Sequence, residues 1–190
     1  FTSNDGSTGR ELWKTDGTSG GTSLVKDIQT GTAGSSPSNL INMQGVLYFT
    51  AAESTTGREL WKSNGADAGT ILVSDIRSGT SSSSPESLTN VEGILYFSAN
   101  DGSSGTELWK SDGTDAGTGL VKDILGGNES SYPNQLTNVN GKLYFVAKQS
   151  ETDLELFKSD GTSAGTQILK DIRAGNEGSS PYNLANVNGS

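Results

Sequence analysis

The feature that most constrains this sequence is a fourfold repeat with a period of 48 residues. The aromatic residue of the ELWK or ELFK motif recurs at equal steps (61 − 13, 109 − 61, 157 − 109), at Trp13, Trp61, Trp109 and Phe157. All four prolines keep the same spacing, at Pro37, Pro85, Pro133 and Pro181. A period of this length is typical of propellers, solenoids and other repeat arrays. We therefore predict a single repeat domain over residues 1–190.

Each repeat predicts up to four short strands. In one unit a segment such as QLTNVN leads into ILYFSA, then TELWKSD, then GLVKDI, and each run is rich in β-forming residues and closed by Gly, Asn, Asp or Pro. Four antiparallel strands in about 45 residues are typical of a propeller blade. The predicted fold is therefore all-β and β-propeller-like, with an open β-repeat array or solenoid as the alternative.

The third and fourth strands of each repeat are predicted to be joined by a tight turn. In SDGTDAGT, Asp112 can accept hydrogen bonds from nearby amides, and Gly113 and Gly117 are expected to supply positive φ angles. The equivalent positions are all Asx residues, namely Asp16, Asn64 and Asp160. We expect these turns, and the repeated aromatic residues between adjacent blades, to be structural.

The repeated motifs resemble a known family. ELWKTDGT (residues 11–18), ELWKSDGT (107–114) and ELFKSDGT (155–162) are similar to the signature of the ELWxxDGT-repeat proteins, whereas the second unit departs from it with ELWKSNGA (59–66). The resemblance covers the whole chain. It implies a β-propeller-like module of long bacterial chains that are secreted or attached to the cell surface, and it implies no catalytic residue.

Composition excludes several kinds of partner and site. The net charge is −9 and no basic cluster occurs, so we expect no binding to nucleic acid. With no cysteine, the chain has no thiolate nucleophile or zinc-thiolate site. No run approaches the roughly 18 apolar residues of a membrane helix, so no membrane span is predicted.

Two patterns could suggest an enzyme, and both favour a structural interpretation. GTSGG (17–21) and GTSAG (161–165) match the G-x-S-x-G nucleophile pattern, but the chain has no histidine to serve as the base. The regular carboxylates Glu11, Glu59, Glu107 and Glu155 occupy equivalent positions, whereas glycosidases need two carboxyl groups in unlike environments. We expect these carboxylates to bond turn amides or to pair with Lys14, Lys62, Lys110 and Lys158, and we predict no catalytic site.

Two ligand classes remain as weaker interpretations. NDGSTGRE (4–11) and NDGSSGTE (100–107) place oxygen atoms around glycines, so Asp5, Glu11, Asp101 and Glu107 are calcium candidates, with an ordinary hairpin loop as the alternative. No other cofactor is predicted. Trp or Tyr side chains could stack on sugars, which would make the chain a multivalent lectin that binds surface glycans, although repeated tryptophans are more often core residues.

Three interpretations account for the phase of the repeat at the chain ends. Phe1 aligns with Phe49, and Ser190 aligns with Lys142. The two ends could complete one blade within a molecule, the chain could be a segment of a longer array, or the last strand of one copy could meet the first strands of the next. We expect a non-catalytic extracellular structural or adhesive protein whose partners are other copies of itself, with possible assembly into filaments.

Overall fold

The computed structural model describes residues 1–150, 153–175 and 177–189, and this part of the chain is all-β. It contains fifteen strands and no helix. Among these residues, therefore, no helix is long and apolar enough to cross a membrane. The first seven strands are β1 (Thr2–Asn4), β2 (Arg10–Lys14), β3 (Ser23–Lys26), β4 (Ser38–Met43), β5 (Val46–Glu53), β6 (Gly57–Ser63) and β7 (Ile71–Ser74). The other eight are β8 (Glu86–Val91), β9 (Ile94–Asn100), β10 (Thr106–Ser111), β11 (Gly119–Lys122), β12 (Asn134–Val139), β13 (Lys142–Lys148), β14 (Leu154–Ser159) and β15 (Gln167–Lys170).

The strands form four antiparallel sheets in two compact units. Residues 1–84 form the first unit, with sheet A (β1-β2-β3) and sheet B (β4-β5-β6-β7). Residues 85–190 form the second unit, whose described part contains sheet C (β8-β9-β10-β11) and sheet D (β12-β13-β14-β15). In each sheet, strands that follow one another in sequence are also neighbours. Sheets B, C and D thus confirm the predicted four strands, and none of the sheets in the described residues closes on itself.

A left-handed turn joins the first two strands of each four-stranded sheet. The pairs Gln44-Gly45, Glu92-Gly93 and Asn140-Gly141 all have positive φ at both positions. This combination is the requirement of a type I′ turn, whose twist matches that of the strands it connects. An asparagine before each turn accepts a hydrogen bond from the turn glycine, as Asn138 Oδ1 does from the Gly141 amide at 3.1 Å. The sequence therefore sets the strand register at this hairpin.

The core of each unit lies between its two sheets. In the second unit the face of sheet C with Tyr96, Leu108 and Val121 packs on the face of sheet D with Leu143, Phe145 and Phe157. In the first unit Leu12 and Val25 of sheet A cluster with Phe49, Ala51 and Trp61 of sheet B. We call the Tyr-Leu-Val side of a sheet its back face, and the Leu-Phe-Trp (or Phe) side its front face. In each unit the back face of one sheet thus meets the front face of the next.

Candidate functional site

The most regular polar feature of the molecule is a buried glutamate in the third strand position of every repeat. Glu11, Glu59, Glu107 and Glu155 have no solvent-exposed surface. Each carboxylate accepts two hydrogen bonds from one serine 24 residues later, one from its amide and one from its hydroxyl. The serines are Ser35, Ser83, Ser131 and Ser179. We refer to each pair as a Glu–Ser node.

The distances in the nodes agree from one repeat to the next. The serine amide lies 2.7 Å from the carboxylate of Glu11, 2.8 Å from Glu59, 2.7 Å from Glu107 and 2.7 Å from Glu155. A further amide completes each node, and for Glu107 the donor is Ile124 at 3.0 Å. Hydrogen bonds to the ionised form compensate the cost of removing a carboxylate from water. Of the two arrangements expected for these glutamates, turn-amide bonding or pairing with lysines, the structure shows hydrogen bonds from backbone amides.

Burial and hydrogen bonding act on these carboxyl groups in opposite directions. Burial raises the pKa of Glu59 and Glu107, even though their serine partners and the amides of Ile76 and Ile124 lower it. Glu155 is equally inaccessible to solvent, but its partner Ser179 is only partly buried. Burial tends to raise its pKa as well, but the hydrogen bonds from Ser179 and Ile172 outweigh it, so the pKa of Glu155 is lowered. The same motif therefore gives carboxyl groups with different affinities for a proton.

Two of the nodes, those of Ser35 and Ser131, also lie at the junction between the two sheets of a unit. The carbonyl of Ser131 accepts a hydrogen bond of 2.7 Å from the amide of Lys148 in sheet D, while the rest of the residue binds Glu107 in sheet C. Ser35 does the same in the first unit, since its carbonyl accepts from the Ala52 amide at 2.9 Å. In these two nodes one serine thus connects a buried glutamate to the second strand of the neighbouring sheet, which makes the node a structural joint.

Sequence reasoning missed these serines. They lie two residues before the repeated prolines, in the segments Ser35–Pro37, Ser83–Pro85, Ser131–Pro133 and Ser179–Pro181. The residue between serine and proline varies, since it is tyrosine in the third repeat, whereas the serine itself is present in all four. The serine recurs at the same spacing as the repeated glutamate, and this shared period was the signal in the sequence that could have paired the two residues.

The Asx residues lie in the turns between third and fourth strands, as predicted. In every repeat Oδ1 of the Asx residue accepts a hydrogen bond from the amide two residues later, at 2.8 to 3.0 Å. The four Asx residues are Asp16, Asn64, Asp112 and Asp160. Hydrogen bonding to Thr18 lowers the pKa of Asp16, and hydrogen bonding to Thr162 lowers the pKa of Asp160. These side chains therefore stabilise the turn in their ionised form, or as the amide in the second repeat.

The two glycines of this turn have different roles. Gly113 has a positive φ of 90°, as expected, but the prediction of a positive φ at Gly117 is wrong. A Cβ atom on Gly117 would lie 2.1 Å from Oδ1 of Asp112. The equivalent distances are 1.9 Å for Gly21 and 2.0 Å for Gly69 and Gly165. Glycine is therefore required here because the Asx side chain covers it.

Hydroxyl groups complete the turn. The threonine after the second glycine binds the side chain that precedes the Asx residue, as in the 2.7 Å contact between Ser111 Oγ and Thr118 Oγ1. The same threonine donates to the carbonyl of Thr114 at 2.7 Å. Equivalent pairs occur in the other repeats, between Thr15 and Thr22, Ser63 and Thr70, and Ser159 and Thr166. Each repeat thus encloses the turn in a small hydroxyl network.

The repeated aromatic residues belong to the packed sheets. Trp61 and Phe157 are buried in the cores between the sheets of the two units, as predicted. Trp109 is also buried, while Trp13 on sheet A is partly exposed. The indole nitrogens of all three tryptophans are buried without a hydrogen-bond partner among the described residues. Trp61 and Trp109 are consequently not accessible as platforms for sugar stacking.

The calcium candidates are distributed over two different environments. Asp5 and Asp101 lie in the turns before β2 and β10, where Oδ1 of each accepts two amide hydrogen bonds of 2.8 Å. These bonds lower the pKa of Asp5 to about 2, and they lower that of Asp101 despite partial burial. Glu11 and Glu107 are instead held in the Glu–Ser nodes. Within the described ranges, no three acidic side chains come together as a group that could hold a metal ion.

The remaining motif residues bind the backbone of the neighbouring sheet or lie on the surface. Nζ of Lys14 donates to the carbonyl of Gly65 at 2.8 Å, and Nζ of Lys110 donates to Gly161 at 2.9 Å. Each lysine crosses from one sheet of its unit to a turn of the other. Ser19 and Ser163, at the centre of the G-x-S-x-G patterns, are exposed in these turns.

Comparisons with known proteins add no further assignment. No family model matches the chain, and no curated protein matches it.

Proposed function

We propose that this chain is a non-catalytic structural or adhesive module of the ELWxxDGT type, with propeller-like blades, that works outside bacterial cells by associating with other copies of itself. One observation supports it above all: the same Glu–Ser node and Asx turn occur in every repeat. The conspicuous carboxylates are thereby engaged in holding sheets and loops. A protein of this design provides one rigid surface several times over.

The burial of the nodes supports a non-catalytic function. A general acid or base must come within hydrogen-bond reach of a substrate. Glu59 and Glu107 have the raised pKa values that often accompany catalysis. Both are inaccessible and fully engaged by serine and backbone groups of their own loop. The raised pKa values therefore have a structural explanation.

The test of this function is the state of association of the purified chain. Light scattering over a range of concentrations, with negative-stain electron microscopy of the same samples, should show oligomers or filaments. Particles that stay at the 19.7 kDa mass of the chain at all concentrations would contradict the proposal. Turnover of a substrate that is abolished by a single Glu or Asp replacement would contradict the non-catalytic part.

A lectin-like function is the second candidate, and one local observation favours it. Tyr132 is 53% exposed, and Nζ of Lys148 lies 5.1 Å from the centre of its ring. Both residues line a polar cleft of about 280 Å³ together with Asn128 and Glu129. An exposed aromatic ring beside polar groups can stack on a sugar. Glycan-array binding that Tyr132→Ala abolishes, while Tyr182→Ala leaves it unchanged, would support this function.

A further inference from the structure

Two sheet faces in this structure lack the cover that equivalent faces have. On the front face of sheet A, Phe1 is 50% exposed, whereas its equivalents Phe49, Phe97 and Phe145 are fully buried. On the back face of sheet D, Leu169 is 44% exposed, whereas its equivalent Val121 is buried. Tyr144 and Leu156 of the same back face are also only partly buried and line an open groove of about 330 Å³. One front face and one back face are therefore open.

The second unit shows how such faces combine. There the back face of sheet C is covered by the front face of sheet D. Tyr96, Leu108 and Val121 of sheet C are each 48 residues before Tyr144, Leu156 and Leu169 of sheet D. Phe145 and Phe157 of sheet D are each 144 residues after Phe1 and Trp13 of sheet A. The two open faces thus have the residue types that already pack together within this chain.

The pairing of backbone strands supports the same packing of a back face on a front face. Sheet A has three strands in the described residues, because β1 pairs only with β2, whereas β5, β9 and β13 each pair on both sides. Residues 181–189 have the features of an additional first strand and its turn. The side-chain amide of Asn186 donates to the carbonyl of Asn138 at 3.0 Å, as that of Asn138 donates to Asn90 at 3.1 Å. Asn188 and Gly189 repeat the left-handed pair of the hairpin turn.

The segment 181–189 is available for pairing. Tyr182 and Val187 are 77% and 66% exposed, while Val91, the equivalent of Val187, is buried in the core between sheets C and D.

We propose that the back face of sheet D in one copy packs on the front face of sheet A in a second copy, and that residues 181–189 of the first copy pair with β1 of the second. This proposal rests on the proposed function and specifies its contact surfaces. The register follows from sheet C, where Glu86 lies opposite Ser98. Residue 182 is 96 positions after Glu86, and residue 2 is 96 positions before Ser98. The same register therefore places Tyr182 of one copy opposite Thr2 of the other.

Engineered cysteines test this register, because the chain has no cysteine of its own. Opposite residues of an antiparallel pair are close enough for a disulfide. Thr2→Cys and Tyr182→Cys proteins are prepared separately, mixed and oxidised. We expect a disulfide-linked pair at twice the chain mass that joins one protein of each kind. Either cysteine protein oxidised alone should give less of the disulfide-linked pair than the mixture does. A Ser19→Cys protein mixed with the Tyr182→Cys protein is the control for disulfides formed by random collision.

A charge on the open face provides a second, independent readout. Leu169→Glu should abolish association, whereas Ile71→Glu, at a strand position that is also 44% exposed, should leave it unchanged. Because each copy carries a net charge of −9, association should strengthen when salt is raised from about 0.01 M to 0.15 M, over which the screening length falls from roughly 30 to 8 Å.

The outcomes separate this proposal from the function on which it rests. Oligomers that form without the Thr2–Tyr182 disulfide, and that Leu169→Glu does not disrupt, would overturn the assigned surfaces and leave self-association standing. A chain that stays at its own mass under all conditions would overturn both.

Discussion

The hydroxyl and the amide of Ser131 both donate to the carboxylate of Glu107, a residue 24 positions earlier, and neither residue is accessible to solvent. The carbonyl of Ser131 also accepts the amide of Lys148 in the next sheet. A loop residue therefore determines how one sheet follows another. The two serine-to-glutamate hydrogen bonds recur in all four repeats, which explains why every repeat keeps both residues while the surrounding loop varies.

Removing the Ser131 hydroxyl should destabilise the second unit. Ser131→Ala leaves a buried carboxylate with one hydrogen bond fewer, and a hydrogen bond to a charged group contributes about 1.5–3 kcal/mol. We expect a loss of that size in the free energy of unfolding, measured by urea denaturation. Ser163→Ala, at an exposed turn position, is the control and should change stability little. Equal stability of the two variants would show that the hydroxyl bond of Ser131 contributes nothing.

The turn glycines provide a matched pair of neighbours. A Cβ atom at Gly21 would lie 1.9 Å from Oδ1 of Asp16, whereas one at Gly20 would meet no atom within 4 Å. Neither glycine has a positive φ, so backbone strain does not separate the two positions. Gly21→Ala should therefore cost about 1–3 kcal/mol, as overpacking does, and Gly20→Ala should cost little. Thermal or urea unfolding measures both.

A double variant identifies the cause of the Gly21 effect. If the clash is with the Asp16 side chain, Gly21→Ala should have little further effect in an Asp16→Ala protein. A penalty that persists in full in this background would place the clash elsewhere in the turn.

The strand pattern could be predicted from the sequence more completely than the polar joints. Repeated short runs such as ILYFSA predict strands directly, because each is a short continuous apolar run bounded by turn residues. The partner of Glu107 could not be found in this way, since residue 131 lies in a loop with no periodicity of its own. The role of Gly117 cannot be predicted from the sequence for a related reason. A close approach by a side chain leaves no trace in the local sequence, whereas a left-handed turn commonly does.

The asparagines before the hairpin turns should contribute through two different bonds. Asn138 accepts from the Gly141 amide and donates to the Asn90 carbonyl. Asn138→Ala removes both bonds, and Asn138→Asp keeps the acceptor and removes the donor. At about 0.5–1.5 kcal/mol for each bond, the Ala variant should lose roughly twice as much stability as the Asp variant in urea unfolding. An Asp variant as unstable as the Ala variant would show that the bond to Asn90 dominates.

The dependence of stability on pH should have opposite signs at two equivalent glutamates. Burial raises the pKa of Glu107 above its ordinary value of 4.5, so the folded state binds its proton more readily than the unfolded chain does. Stability from this group therefore increases as the pH falls from neutrality towards 4.5, and it decreases as the pH rises. The pKa of Glu155 is lowered from the same ordinary value, so its contribution is present above 4.5 and is lost as the pH falls below it.

Glutamine variants isolate each contribution, because an amide does not titrate in this range. The free energy of unfolding of the unmodified chain, relative to Glu107→Gln, should rise between pH 7 and pH 4.5. The same difference relative to Glu155→Gln should be constant over that range and fall below pH 4.5. Urea denaturation at each pH measures both differences. The contrary result would be a stability difference for Glu107→Gln that is constant from pH 7 to 4.5 and falls below pH 4.5. Hydrogen bonding would then outweigh burial at Glu107, as it does at Glu155.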